Sequence, residues 1–150
     1  MKRTKLDKQA ALNLAYRLLI YRLRSRWELE NRLKSKGFPS DVVRDVIDEL
    51  QRQGLVDDLE FAKQFVISGI SKLKSPPRLK AELIRKFRVP SETVDKAIDE
   101  AFDWDEVAKL IKRKAQRLEK MGYTRRKIVG YFVRKGFDVD FVRDVLETDG

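Results

Sequence analysis

The sequence predicts an all-α protein built from three tandem three-helix repeats. Apolar residues recur at helical spacing, and glycines stand where the apolar stretches end. In addition, residues 25–48 return as residues 124–147 at a constant offset (124 − 25 = 99). Self-similarity of this kind marks a repeated supersecondary unit. Repeats that stack in a row give an elongated molecule, which is the expected shape.

The first repeat is predicted for residues 1–54. Ser25 can cap a helix, because its hydroxyl can accept a hydrogen bond from a free backbone N–H one turn on. Gly37 and Gly54 mark helix ends, since glycine adopts a left-handed conformation at little cost. These boundaries and the apolar spacing predict three helices, which run from Leu6 or Lys8 to Arg24, over residues 26–36 and over residues 41–53.

The second repeat, predicted for residues 55–102, opens with the paired acids Asp57 and Asp58. We expect Asp58 to cap the helix that follows, with apolar positions as far as Leu73. Adjacent carboxylates rarely converge on one substrate, so a catalytic pair is not expected here.

Ser75 starts the next helix at the place of Ser25 (75 − 25 = 50), and Pro76 takes the first helical position, where its missing N–H costs nothing. The glycine that ends the equivalent helix of the first repeat is missing, and the turn is one residue longer. The third repeat, residues 103–150, contains the second copy of the repeated stretch.

Composition excludes several kinds of chemistry. The chain of 150 residues has no Cys and no His, which removes disulfides, the usual zinc sites and thiol or imidazole catalysis. It also lacks a glycine-rich nucleotide loop and a long apolar run. We therefore expect no catalytic residue, metal, cofactor or membrane segment. The absence of Cys fits a reducing cytoplasm, and a monomer is the default expectation.

The net charge of +10 suggests an anionic partner, although a basic surface can also serve solubility alone. Basic residues concentrate in residues 72–88 and 109–127, whereas acids concentrate in residues 41–60 and 92–106. Each repeat thus has basic first and second helices and an acidic third helix. A helix-turn-helix that reads bases through the third helix is disfavoured, because phosphates repel the acids.

Two interpretations of this charge pattern stay open. The basic helices could neutralise neighbouring acidic helices through weak surface ion pairs. Alternatively, they could form a ridge that binds nucleic acid or a protein filament assembled on it. The candidate binding residues are Arg24, Arg26, Lys72, Lys74, Arg78, Lys80, Arg113, Arg117, Arg125 and Arg126.

Some of these residues have a structural alternative. Arg26 and Arg125 open equivalent helices, where a cation opposes the helix dipole. Their repetition suggests a phosphate or carboxylate contact, and an internal salt bridge is the competing explanation. The aromatic residues at helical spacing could stack on bases, but we expect them in the core: Trp27, Trp104, Tyr123 and Tyr131.

The centre of the chain resembles the RecX family of recombination regulators. Residues 53–66, QGLVDDLEFAKQFV, follow that family's pattern of Gly, apolar residues, Asp-Asp and Phe-Ala, and the upstream SRWEL and LKSKGF segments fit as well. The resemblance covers about residues 10–101. The chain departs from the family pattern at Gly69, where an Arg is usual nearby, and at Ser75, where a Gly is usual nearby. The signature residues assigned a structural role are Gly37, Leu55, Asp57, Asp58, Phe61 and Ala62.

The resemblance implies a curved molecule of three three-helix repeats without chemistry of its own. It implies binding in the groove of a RecA–DNA filament, with inhibition of strand exchange, ATP hydrolysis and co-protease activity, and hence a role in recombination, DNA repair and the SOS response. The competing hypothesis is a general nucleic-acid-binding helical module without a filament partner. An enzyme is the least supported class.

Overall fold

The computed structural model describes residues 7–148, which form nine α-helices and no strand, so the all-helical class is confirmed. The predicted start at Leu6 lies outside the described residues. The helices are α1 (Lys8–Tyr21), α2 (Arg26–Ser35), α3 (Ser40–Arg52), α4 (Asp58–Ile70), α5 (Pro76–Arg85), α6 (Ser91–Ala101), α7 (Trp104–Lys120), α8 (Arg125–Arg134) and α9 (Val139–Glu147). None of them, within residues 7–148, is long and apolar enough to cross a membrane.

The chain divides into two compact units. The first runs as far as Ala62 and includes Leu83–Val94, and the second contains Lys63–Glu82 and the chain from Asp95 onward. The repeat boundaries predicted after residues 54 and 102 each fall inside one unit.

In the first unit, α1, α2 and α3 pack against one another. Ser25 caps α2 through a capping box: its hydroxyl accepts from the Glu28 N–H, and the Glu28 carboxylate accepts from the Ser25 N–H. Gly37 follows α2 at φ +96°, as its stop position requires. Buried apolar side chains from the three helices and the loop after them form the core: Ala11, Ala15, Leu29, Leu33, Val43, Val46, Ile47, Leu50 and Val56.

The predicted end of α1 at Arg24 is wrong, because the helix stops at Tyr21 and Arg22 has extended backbone. An extended segment is needed there to bring Ser25 into its capping position, also extended, at the start of α2. The Arg22 side chain holds this segment, since it donates to the Leu23 carbonyl and pairs with Glu28. Arg24 therefore lies in a loop and not on a helix.

In the second unit, α7, α8 and α9 pack against one another around apolar residues of all three helices. Side-chain caps fix the three helix starts, through Asp103, Thr124 and Asp138. The valines that recur between the two copies of the repeated stretch are buried in both, as Val43 and Val46 in the first and the equivalents 99 residues on in the second: Val142 and Val145.

The turn after α5 does without a glycine. Arg88 takes the left-handed conformation there (φ 54°), and the Val89 N–H donates to the Leu83 carbonyl at 3.1 Å. The extra residue of this turn moves the left-handed position one place along. The predicted helical position Leu73 is also wrong, since α4 ends at Ile70 and Leu73 has φ 54° in the turn that follows.

Candidate anion-binding surface

The roles of the paired acids Asp57 and Asp58 differ from the predicted ones. Asp57, not Asp58, caps α4, because its carboxylate accepts from the Glu60 N–H at 3.1 Å. Asp58 is the first residue of α4, and its carboxylate accepts from the backbone N–H of Arg26 at 2.8 Å. Asp58 therefore ties the start of α4 to the start of α2.

The same part of the first unit holds the turn after α5. The Ser25 hydroxyl donates to the Phe87 carbonyl at 2.8 Å, and the Phe87 ring meets the ring of Phe61 edge-on at 5.1 Å between centroids. Ser25, Phe61 and Ala62 are buried, whereas Leu55 is partly exposed. The N-cap serine of α2 thus contacts the turn that follows the second helix of the next repeat.

An equivalent contact occurs in the second unit. Ser75 caps α5 by accepting from the Arg78 N–H, and it is as fully buried as Ser25. A Cβ added to Gly136, in the turn after α8, would clash with the Ser75 hydroxyl and lie 3.2 Å from its Cβ. Gly37, at the same place in the first copy, has nothing within 4 Å of such a Cβ. The repeat-to-repeat contact is therefore made by Gly136 and not by Gly37.

Burial raises the pKa of the Asp58 carboxyl, against the opposing effects of the Arg26 N–H and charge. A raised pKa in the fold means that Asp58 opposes folding when it is ionised, so its contribution becomes less favourable as pH rises from the ordinary carboxyl pKa through the folded value. Asp58→Asn keeps an oxygen for the Arg26 N–H. We expect the free energy of unfolding of the Asn variant, minus that of wild type, to increase from pH 3 to pH 7 in urea titrations. A difference that does not change with pH would contradict this assignment.

Four of the ten predicted binding residues form salt bridges within their own unit. The Arg26 guanidinium pairs with Glu30 at 2.6 Å and lies 3.8 Å from Asp48 on α3. The other three pair with acids of the middle helices, in the pairs Lys74–Glu82, Arg78–Glu82 and Lys80–Asp95. Mutual neutralisation therefore explains the position of these four cations.

The shared acid Glu82 supports this explanation. Burial raises the pKa of Glu82, but hydrogen bonds from Lys74 and Arg78 outweigh burial and hold that pKa below its ordinary value. The carboxylate is therefore ionised at neutral pH. Lys74 also lies 5.4 Å from the centre of the Phe65 ring, so its ammonium is enclosed by partners.

The other six predicted residues form no salt bridge with any residue of the described range 7–148. Lys72 is exposed in the turn after α4. Arg24 is half-buried, its Nε has no hydrogen-bond partner among residues 7–148, and its pKa is lowered by burial and by the charges of Arg22 and Arg32. The remaining four, the α7–α8 arginines, are exposed: Arg113, Arg117, Arg125 and Arg126.

The α7–α8 arginines form the largest group of unpaired candidates. Arg113 and Arg117 are four residues apart and therefore lie on one face of α7. Arg125 and Arg126 occupy the first turn of α8, where their charge is least favourable for the helix. Neither cation forms a salt bridge within residues 7–148, although Glu119 lines the same hollow as Arg125.

Arg26 and Arg125 open equivalent helices, but only Arg26 forms an internal salt bridge within residues 7–148. Arg26 has an acid one turn on, Glu30, whereas the equivalent residue after Arg125 is Val129 (30 + 99 = 129). Arg125 instead lines a shallow hollow of about 320 Å³ between α7, α8 and the end of α9. The first arginine thus has both an acid one turn on and an internal salt bridge, whereas the second has no acid at that place.

The expectation that the aromatic residues belong to the core is wrong for Trp27, Trp104 and Tyr123, which are 39%, 47% and 45% exposed. Arg88 lies over the Trp27 ring at 5.7 Å, and Trp104 meets the rings of its neighbours edge-on. Tyr131 is half-buried. Helical spacing located these side chains correctly but did not distinguish the edge of a core from its interior.

No group of His, Cys, Asp and Glu in residues 7–148 is arranged to hold a metal ion. The fold and the surface thus define an all-helical repeat protein whose α7–α8 arginines lack carboxylate partners within that range. A family model described as the first three-helix domain of RecX matches residues 11–50.

Curated relatives extend this match along the chain. Regulatory protein RecX of Mycolicibacterium vanbaalenii is 34% identical, over 97% of this chain and 85% of its own length. Regulatory protein RecX of Mycolicibacterium smegmatis is 32% identical, over 94% of this chain and 80% of its own length. The chain belongs to the RecX family of regulatory proteins.

Solved structures show the same fold. The crystal structure of RecX from Lactobacillus salivarius has a TM-score of 0.77 at 24% identity, over 94% of this chain and 95% of that one. A second crystal structure, of a regulatory protein RecX, has a TM-score of 0.74 at 24% identity, over 94% of this chain and 72% of that one.

Proposed function

We propose that the protein regulates recombination by binding the RecA–DNA filament and inhibiting its recombinase, ATPase and co-protease activities. The observation that carries the proposal is the group of exposed α7–α8 arginines without carboxylate partners within residues 7–148, in a chain of the RecX family. Such a group suits a linear polyanion, because each arginine that meets a phosphate releases condensed counterions.

The first unit has candidate contacts of its own. The charges of Arg22 and Arg32 act against the charge of Arg24, and the salt bridge of Glu28 is with Arg22. The Arg24 Nε is buried and has no hydrogen-bond partner among residues 7–148, so any contact of Arg24 with an anion must come from the outer part of its guanidinium. Lys72, which is exposed in the second unit, is a further candidate contact. The salt-bridged Arg26, Lys74, Arg78 and Lys80 contribute mainly to the fold.

The family-signature residues have a structural role in this proposal. Asp57 caps α4, Asp58 holds the Arg26 N–H, and Phe61 packs on Phe87. These contacts hold the first repeat to the turn of the second, so the signature shapes the surface and does not form it. The protein acts as a cytoplasmic monomer, without a cofactor, by occupying the filament.

The proposal is tested by adding the protein to RecA with single-stranded DNA and following ATP hydrolysis. We expect hydrolysis to fall as protein is added at sub-stoichiometric amounts relative to RecA. The matched control is the same titration at a DNA concentration that saturates RecA several times over. If excess DNA restores hydrolysis completely, the protein only competes for DNA, and it is a general nucleic-acid-binding module.

A further inference from the structure

A hollow of about 420 Å³ opens between the end of α7 and the outer side of α8. Its walls are two tyrosines, two aliphatic side chains and two cations: Tyr123, Tyr131, Leu118, Ile128, Lys127 and Arg134. The volume is within the range of pockets that hold small molecules or parts of them. The hollow lies entirely within the second unit.

The tyrosines are available to a ligand. Tyr123 is 45% exposed, and Tyr131 is half-buried with its ring on the hollow. Both side chains thus lie partly outside the core, and the flexible Lys114 and Lys135 side chains lie over the Tyr131 ring. These two aromatic walls favour a flat group that can stack on them.

The charge around the hollow has a single sign. Lys127 and Arg134 line it, are exposed and form no salt bridge within residues 7–148. Lys114 and Lys135 lie 5.8 Å and 5.3 Å from the centre of the Tyr131 ring. No acid is among the lining residues. The ligand must therefore combine a flat ring with a nearby negative charge.

We propose that this hollow binds an unpaired nucleobase of a single strand, with the flanking phosphates on Lys127 and Arg134. Stacking on an aromatic ring beside a cationic groove is how proteins bind single strands without reading their sequence. A purely acidic peptide satisfies the cations but leaves the two rings unused. The inference rests on the proposed function and deepens it, because it identifies a direct contact to the nucleic acid.

The test compares the 20-mer dT20 with an abasic 20-mer that has the same phosphates and no bases, by fluorescence anisotropy at constant salt. We expect wild type to bind dT20 about tenfold more tightly than the abasic strand, and Tyr131→Leu to remove that preference. Tyr131→Phe keeps the ring and should stay within about twofold of wild type. Tyr21→Leu, an exposed tyrosine of the first unit, is the matched control and should change nothing.

The outcomes are distinct. Equal binding of dT20 and the abasic strand by wild type, or an unchanged preference in Tyr131→Leu, overturns the inference. Tighter binding of a 20-residue poly-Glu peptide than of dT20 overturns it in favour of an acidic protein partner. A parallel titration with rU20 shows whether the protein prefers DNA or RNA. A preference for strands with bases, on DNA or on RNA, supports the binding of a base in the hollow. No recombinase is present, so failure here leaves the filament proposal standing, and failure of ATPase inhibition leaves this result standing.

Discussion

Replacing the α7–α8 arginines together by Gln is expected to weaken binding to single-stranded DNA roughly 100-fold at 0.1 M salt. Each phosphate contact on a single strand contributes about 0.7 to the slope of log affinity against log salt, so four lost contacts should reduce that slope by about 3. Inhibition of RecA ATP hydrolysis should be lost with it. The measurement is a series of DNA titrations at different salt concentrations.

The matched control removes the same number of charges from the salt-bridged residues. Replacing Arg26, Lys74, Arg78 and Lys80 by Gln should weaken DNA binding less than tenfold, because carboxylates within their own units already offset these cations. Equal losses in the two quadruple variants would mean that net charge alone controls binding. The positions of the α7–α8 arginines would then have no special role.

Gly136→Ala is expected to destabilise the protein by about 3 kcal/mol, whereas Gly37→Ala should cost only about 1 kcal/mol. Both glycines have positive φ, +103° and +96°, so both substitutions carry the left-handed penalty. Only at Gly136 does the new Cβ also collide with Ser75, whose hydroxyl is held as the cap of α5. The difference between the two variants therefore measures the repeat-to-repeat contact.

Urea titrations of the two variants and of a double-mutant cycle check this expectation. In a Ser75→Gly background the collision is removed, so Gly136→Ala should then cost about as much as Gly37→Ala. Equal costs of the two alanine variants in the wild-type background would show that the turn after α8 adjusts around Ser75 without loss.

The helices were predictable because their limits are local. Apolar spacing, capping side chains and glycines act within a few residues, and they placed α2 and α3 and the starts of α5 and α8 to within about two residues. The end of α1 was missed because Arg22 depends on Glu28, a partner beyond the helix. The cap of α4 was assigned to Asp58 instead of Asp57, because an aspartate suits both a helix cap and a contact to a distant N–H. Only the position of the Arg26 N–H, which the fold brings to Asp58, decides between the two.

The candidate surface was predictable in composition but not in detail. Clustering by helix identified the basic residues, and the residue one turn on, Glu30 after Arg26 and Val129 after Arg125, was the one local signal for pairing. Whether a lysine or arginine is paired depends on residues such as Asp48 and Asp95, which the fold brings to Arg26 and Lys80. The hollow beside Tyr131 was missed for the same reason, since periodicity does not show which side of an aromatic ring is exposed.

Co-sedimentation with the RecA–single-stranded DNA filament tests the central claim most directly. At a salt concentration where the DNA titrations show little binding to bare DNA, we predict that the protein pellets with the filament and that little pellets with the same DNA alone. The α7–α8 quadruple variant should stay in the supernatant in both samples. Equal recovery of the wild-type protein with filament and with bare DNA would contradict the account and leave a general nucleic-acid-binding module.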